Sequence, residues 1–130
     1  MFNLKEKIMR NHESMENYLE TIYVLSNRIG NVKSIDVVHE LGFSKPSVTV
    51  AVKNMKVKEY ITVDKSGFIK LTDKGLEIAK SVYERHTVIS SMLEKLGVSP
   101  KVAAQDACKI EHIISAESFD AIKKHMEHYL

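Results

Sequence analysis

At 130 residues, 44% of them hydrophobic, the chain can bury one medium-sized core or two small ones, which excludes a disordered or fibrous protein. Charges interrupt the opening MFNLKEKIMRNHESMEN every two or three residues and no later apolar run reaches spanning length, so the expectation is a soluble cytoplasmic protein with neither signal peptide nor membrane contact. The net charge of +2 decides little, but residues 44–70 hold six basic side chains against two acidic ones, a local excess suited either to a polyanion or to a solvated lysine face. Cys108 is the only cysteine, so an internal disulfide is impossible and the thiol is reactive, metal-binding or simply inert.

In chain order, Met15, Leu19 and Ile22 recur at helical spacing and predict a helix from Glu13 that stops at Asn27, Gly30 and Asn31. A short second helix follows, with Ser34 as cap, the stripe Ile35, Val38 and Leu41, and Gly42 at its end. Ser44 is placed to cap a third helix with Pro46 in its first turn. On that helix Val48, Val52 and Met55 share one face, and Pro46, Thr49, Val50, Lys53 and Asn54 point away from it. The stretch ITVDKSGFIKLT reads as a hairpin, two β-branched runs around a turn with Gly67 available for positive φ. Thr72 or Asp73 then caps a long helix closed by Gly97, Ser99 and Pro100 open the next, and Ala116 begins the last, striped by Phe119, Ile122, Met126 and Tyr129.

Helix, short helix, tight turn, helix and hairpin in that order predict a mainly α chain. A winged helix-turn-helix domain with a two-stranded wing covers 1–71, and an all-helical domain covers 72–130. The third helix would bury its apolar face and offer the other to a major groove. Lys45, Pro46, Ser47, Thr49, Val50, Lys53, Asn54 and Lys56, with Lys65 at the hairpin tip, are the candidate contacts to double-stranded DNA. Arginine is absent from this segment, so bidentate guanine readout is not expected and Ser/Thr/Asn contacts or DNA shape would carry specificity. A protein-docking winged helix is the other reading of the same pattern.

In the second half, CKIEH places Cys108, Glu111 and His112 in one helical sector, with Ala103, Ile110, Ile113 and Ile114 on the other side. A bound metal would give all three polar groups a partner; three polar side chains that merely share a helix is the alternative. His86 falls in the middle of the stripe Ala79, Val82, Ile89 and Leu93, where it is a second candidate ligand or a hydrogen-bonded core histidine. Asn17 and Glu20 lie opposite the Met15, Leu19, Ile22 face, which by periodicity alone is a solvated surface. There is no Gly-rich phosphate loop, HExxH or nucleophilic serine motif, so neither an enzyme nor a small-molecule substrate is expected.

SMENYLETIYVLS, SIDVVHELGFSKPSVTVAVKNM, GFIKLTDKGLEIAKSVYERH and DACKIEHIIS together resemble the family of metal-dependent repressors that includes the diphtheria toxin repressor and the manganese transport regulator. The resemblance spans nearly the whole chain from Glu13 and is most specific in SMExYLExIY and CxxEH. It implies the ligand set Asn17, Glu20, His86, Cys108, Glu111 and His112, and a homodimer that binds a palindromic operator when a divalent transition metal is bound. It further implies Fe(II) or Mn(II) as co-repressor and genes of metal uptake as targets. Three departures bear on it: Asn17 stands where manganese-type members carry aspartate and iron-type members often methionine, Cys108 stands where manganese-type members carry glutamate, and Ser90 and Ala104 cannot supply an ancillary site. A thiolate favours Fe(II), Co(II) or Zn(II) over Mn(II). The additional carboxy-terminal domain of longer iron-type members is not expected beyond Leu130. The expected dimer interface comprises Ile110, Ile113, Phe119, Ile122 and Met126. The alternatives are a winged-helix regulator with Cys108 as a redox sensor and no metal, an interaction adaptor, and, more distantly, a hydrolytic zinc enzyme.

Overall fold

A computed structural model describes the backbone of residues 4–129 and the side chains of residues 15–128. The elements in order are α1 (Leu4–Ile29), α2 (Ser34–Leu41), α3 (Lys45–Val57), β1 (Ile61–Val63), β2 (Ile69–Leu71), α4 (Asp73–Lys95), α5 (Pro100–Ile110) and α6 (Ala116–Tyr129). Helix α1 begins earlier than the apolar stripe predicts. Its first turns, LKEKIMRNHE, contain no glycine or proline and several strong helix formers, so backbone propensity supports a helix there.

The chain divides into two units, Met1–Lys80 and Ser81–Leu130. In the first, Leu19 and Ile22 of α1, Val37 of α2, Val48 and Met55 of α3, and Ile61 and Ile69 of the hairpin form one buried cluster. Strands β1 and β2 pair antiparallel in the register Ile61 with Leu71 and Val63 with Ile69, and the Ile69 amide also donates to the Val32 carbonyl at 2.7 Å. This ties the wing to the loop after α1.

The turns show how local chemistry places the helices. Gly42 takes φ +70° and its amide closes α2 on Val38, a left-handed cap that redirects the chain into α3. Ser44 is the N-cap of α3, its Oγ accepting from the Ser47 amide at 3.3 Å, with Pro46 in the first turn as expected. The cap of α2 is not Ser34: Lys33 occupies that position, and the Asp36 carboxylate accepts from its amide at 2.8 Å. A side chain three residues inside the helix can satisfy the start as well as a serine can. Thr72 caps α4, its Oγ1 accepting from the Gly75 amide at 3.1 Å.

In the second unit, Ile89 of α4, Ala107 of α5 and Phe119 of α6 form the core, flanked by Met92, Leu93, Ile110 and Ile114. Phe119 and Met126, expected in the dimer interface, are buried within the single chain, whereas Ile113, expected on the apolar side of α5 and in the same interface, is 61% exposed. At about 3.6 residues per turn Ile113 falls about 90° from the centre of the stripe formed by Ala103, Ala107, Ile110 and Ile114, at its edge rather than within it. The Tyr129 side chain lies outside the described residues. Helix α4 ends in a Schellman motif, with Val98 N–H donating to Leu93 and Gly97, at φ +101°, to Glu94.

Candidate metal centre and nucleic-acid interface

Glu111 is the pivot of the second unit. It follows Ala107 by one turn, just past the end of α5, and keeps helical backbone angles with its amide on the Ala107 carbonyl at 2.9 Å. The side chain therefore turns inward beside the small residues Ala103 and Ala107, which leave room at the packed face, and it is 0% exposed. A carboxylate so placed loses its water and must find compensating partners.

One oxygen has such a partner. Glu111 Oε2 lies 2.9 Å from His86 Nδ1, on the face of α4 that also buries Val82 and Ile89. The other does not: among the described residues Oε1 takes part in no hydrogen bond, although His112 Nε2 stands 3.3 Å away, close enough for an ionic contact but without hydrogen-bond geometry. Cys108, one turn earlier on α5, is an exposed free thiol. Donor atoms of Cys108, Glu111 and His112 all lie within 4.8 Å of one another. Opposite ligands around one ion with bonds of about 2.0–2.3 Å are separated by roughly 4–4.6 Å, so one thiol, one carboxylate and one imidazole here fit a single transition metal with modest adjustment. The donor set mixes a soft thiol and a borderline imidazole with one hard carboxylate, a combination that suits a divalent transition ion.

The structure thus brings His86, Cys108, Glu111 and His112 together in the second unit. Helical projection put Glu111 on a polar sector apart from the apolar face, but it lies at the edge of that face, buried, while Cys108 turns outward. Asn17 and Glu20 stand one turn apart on α1 in the first unit, and both are half-buried rather than on a solvated surface. One residue escaped the sequence reading. Arg85 donates from Nη1 to the Glu111 carbonyl at 2.8 Å, a contact to a backbone atom that no motif signals beyond its adjacency to His86.

In the first unit α3 presents the expected face. Lys45, Pro46, Ser47, Thr49, Val50, Lys53, Asn54 and Lys56 are all exposed, as is Lys65 in the hairpin turn, while Val48 and Met55 are buried and Val52 half-buried. Two of the hydroxyls already have local partners: Thr49 Oγ1 donates to the Lys45 carbonyl at 2.9 Å, and Ser47 Oγ accepts from Ser44 Oγ at the same distance. Lys53 and Asn54 make no such bonds among the described residues.

Residues 12–68 match the iron-dependent repressor N-terminal DNA-binding domain, and residues 72–129 match the iron-dependent repressor metal-binding and dimerisation domain. The chain belongs to the iron-dependent repressor family. Among family relatives, the HTH-type transcriptional regulator MntR of Listeria monocytogenes is 37% identical over 109 residues, covering 84% of this chain and 77% of its own. The transcriptional regulator MntR of Escherichia coli is 32% identical over 111 residues, 85% of this chain and 72% of the relative. Among solved structures, the manganese regulator SloR superposes with a TM-score of 0.78 at 27% identity, and the metal-dependent transcriptional regulator MtsR with 0.80 at 26%. Each match takes in 87% of this chain and 53% of the other, so this iron-dependent repressor homologue spans about half the length of those structures. Among its described residues no helix is long and apolar enough to cross a membrane.

Proposed function

We propose that this family member is a cytoplasmic, metal-responsive repressor that binds a palindromic operator in double-stranded DNA as a homodimer when a divalent transition metal occupies the cluster around Glu111. The observation that carries the reading is the Glu111 carboxylate, fully buried, with Oε1 outside any hydrogen bond among the described residues and faced by a thiol and an imidazole. An ion there would supply positive charge and directional bonds. Glu111 would contribute an anionic oxygen, His112 a ring nitrogen and Cys108 its sulfur as thiolate; His86, already on Glu111, and Asn17 and Glu20 on α1 are the further ligands that the family resemblance assigns. Asn17 offers only a neutral carbonyl oxygen.

SloR is a manganese regulator, and the family is that of the iron-dependent repressors. For this chain the sulfur of Cys108 moves the expected preference from Mn(II) toward Fe(II), Co(II) or Zn(II). The exposed face of α3, with Lys53 and Asn54 foremost, is the proposed major-groove surface, and lysines there and at Lys65 would make affinity salt-dependent. Metal-uptake genes are the proposed targets. Metal and DNA are then coupled ligands, so operator DNA should tighten metal binding by the factor that metal tightens DNA binding.

The test is an anaerobic fluorescence-anisotropy titration onto DNA from the protein's own promoter region at fixed salt, with chelator and then with Fe(II), Mn(II), Co(II) or Zn(II). Tightening by at least one ion is expected. Binding that ignores every metal but responds to oxidant would sink the proposal and make Cys108 the sensor.

A further inference from the structure

The C-terminal end of α5 is closed by a side chain from a different helix. No backbone amide among the described residues donates to the Glu111 carbonyl, which instead accepts from Arg85 Nη1 at 2.8 Å. Helix ends leave their last carbonyls without intrahelical donors, and a guanidinium there is favoured both by the hydrogen bond and by the negative end of the helix dipole. Arg85 is itself braced, with Nη2 3.4 Å from Ser81 Oγ one turn back on α4. The next residue of α4, His86, holds the carboxylate of the same glutamate at 2.9 Å. Two consecutive side chains therefore grip one residue at its backbone oxygen and at its side-chain oxygen.

We propose that Arg85 is a positioning residue for the metal-binding cluster: by pinning the Glu111 carbonyl it sets the peptide between Glu111 and His112, and so the directions in which both present their donor atoms. The inference rests on the metal-binding reading above. Glu111 sits at the junction where α5 gives way to a turn, the place where backbone angles are least constrained by helical hydrogen bonds. Without the guanidinium, the orphan carbonyl could rotate toward solvent and take the His112 ring with it. A preset turn removes that ordering cost from metal binding, the role that groups behind metal ligands commonly serve.

The full chain is compared with R85A and R85K by two measurements. In the metal-free protein, hydrogen exchange of the amides from Glu111 to Ser115 is expected to accelerate in R85A and to return toward wild type in R85K, whose ammonium can still donate to one carbonyl. In anaerobic Co(II) titrations against a competing chelator, R85A is expected to bind about 10- to 100-fold more weakly, with altered thiolate-to-cobalt and ligand-field absorption, and R85K to recover most of that loss. Wild-type Co(II) affinity and spectrum in R85A would overturn the proposal, as would a deficit that R85K leaves untouched. Should R85A not fold, R85Q replaces it under the same criteria. A wild-type protein that binds no Co(II), Fe(II), Mn(II) or Zn(II) would overturn the metal-binding reading and this inference together, whereas normal wild-type binding with an unaffected variant overturns this inference alone.

Discussion

His86 Nδ1 and Glu111 Oε2, 25 residues apart in the chain, stand 2.9 Å apart, and Glu111 is completely buried. The pairing stabilises one carboxylate oxygen and leaves the other aimed at His112 without hydrogen-bond geometry. A site with this asymmetry is costly unless something more than the protein completes it.

Replacing that carboxylate by its neutral isostere separates stability from metal response. Glu111→Gln is expected to lower Co(II) affinity by roughly 100-fold or more, beyond what loss of a group behind the ligands costs. Thermal unfolding of the metal-free variant should be unchanged or higher, because a buried amide is cheaper to desolvate than a carboxylate. Unaltered Co(II) affinity would remove Glu111 from the ligand set.

Cys108→Glu substitutes a hard oxygen donor for sulfur at the exposed corner of the cluster. The ratio of Mn(II) to Co(II) affinity should rise by about tenfold or more, measured by competition under anaerobic conditions. A ratio that stays put would mean that Cys108 lies outside the coordination shell.

On α3, Lys53→Ala is expected to weaken binding to all DNA sequences alike and to reduce the slope of log affinity against log salt by about 1. Asn54→Ala should instead discriminate, losing about 1–3 kcal/mol at one operator base pair and little on unrelated DNA. If neither variant differs from wild type in anisotropy titrations, the exposed face of α3 is not the contact surface.

Gly75, at the start of α4, has no positive φ to explain it; a Cβ there would lie 2.0 Å from the Tyr60 carbonyl oxygen. That oxygen accepts from the Thr72 amide at 3.0 Å, so the backbone cannot retreat without breaking the corner that joins wing and helix. Gly75→Ala should cost about 3 kcal/mol in equilibrium urea unfolding, at the upper end of overpacking penalties. Gly30→Ala, at φ +83° with open space around it, should cost only the left-handed strain, roughly 1–2 kcal/mol.

Much of the architecture was legible because it is written in short-range chemistry. Ser44, Pro46 and Gly42 announce the turn between α2 and α3, and Gly67 and the flanking β-branched residues announce the wing, since each preference depends on a few neighbouring atoms. Where a second residue could satisfy the same backbone group, the reading slipped: Asp36 rather than Ser34 completes the start of α2. Ile113 shows how coarse a grouping by face is: about 90° from the centre of the stripe of Ala103, Ala107, Ile110 and Ile114, it stays exposed in the single chain.

The amino-acid sequence by itself determined the family, the order of elements and a set of candidate donor residues, because periodicity, caps and the CxxEH spacing are local and survive without coordinates. Only the tertiary structure decided which donors share an environment. Burial of Glu111, its unequal oxygens and the Arg85 grip on its carbonyl depend on how α4, α5 and the turn after it pack. The forces responsible, desolvation of a carboxylate and hydrogen bonding to a backbone atom, act between residues far apart in the chain and leave no trace in a one-dimensional pattern.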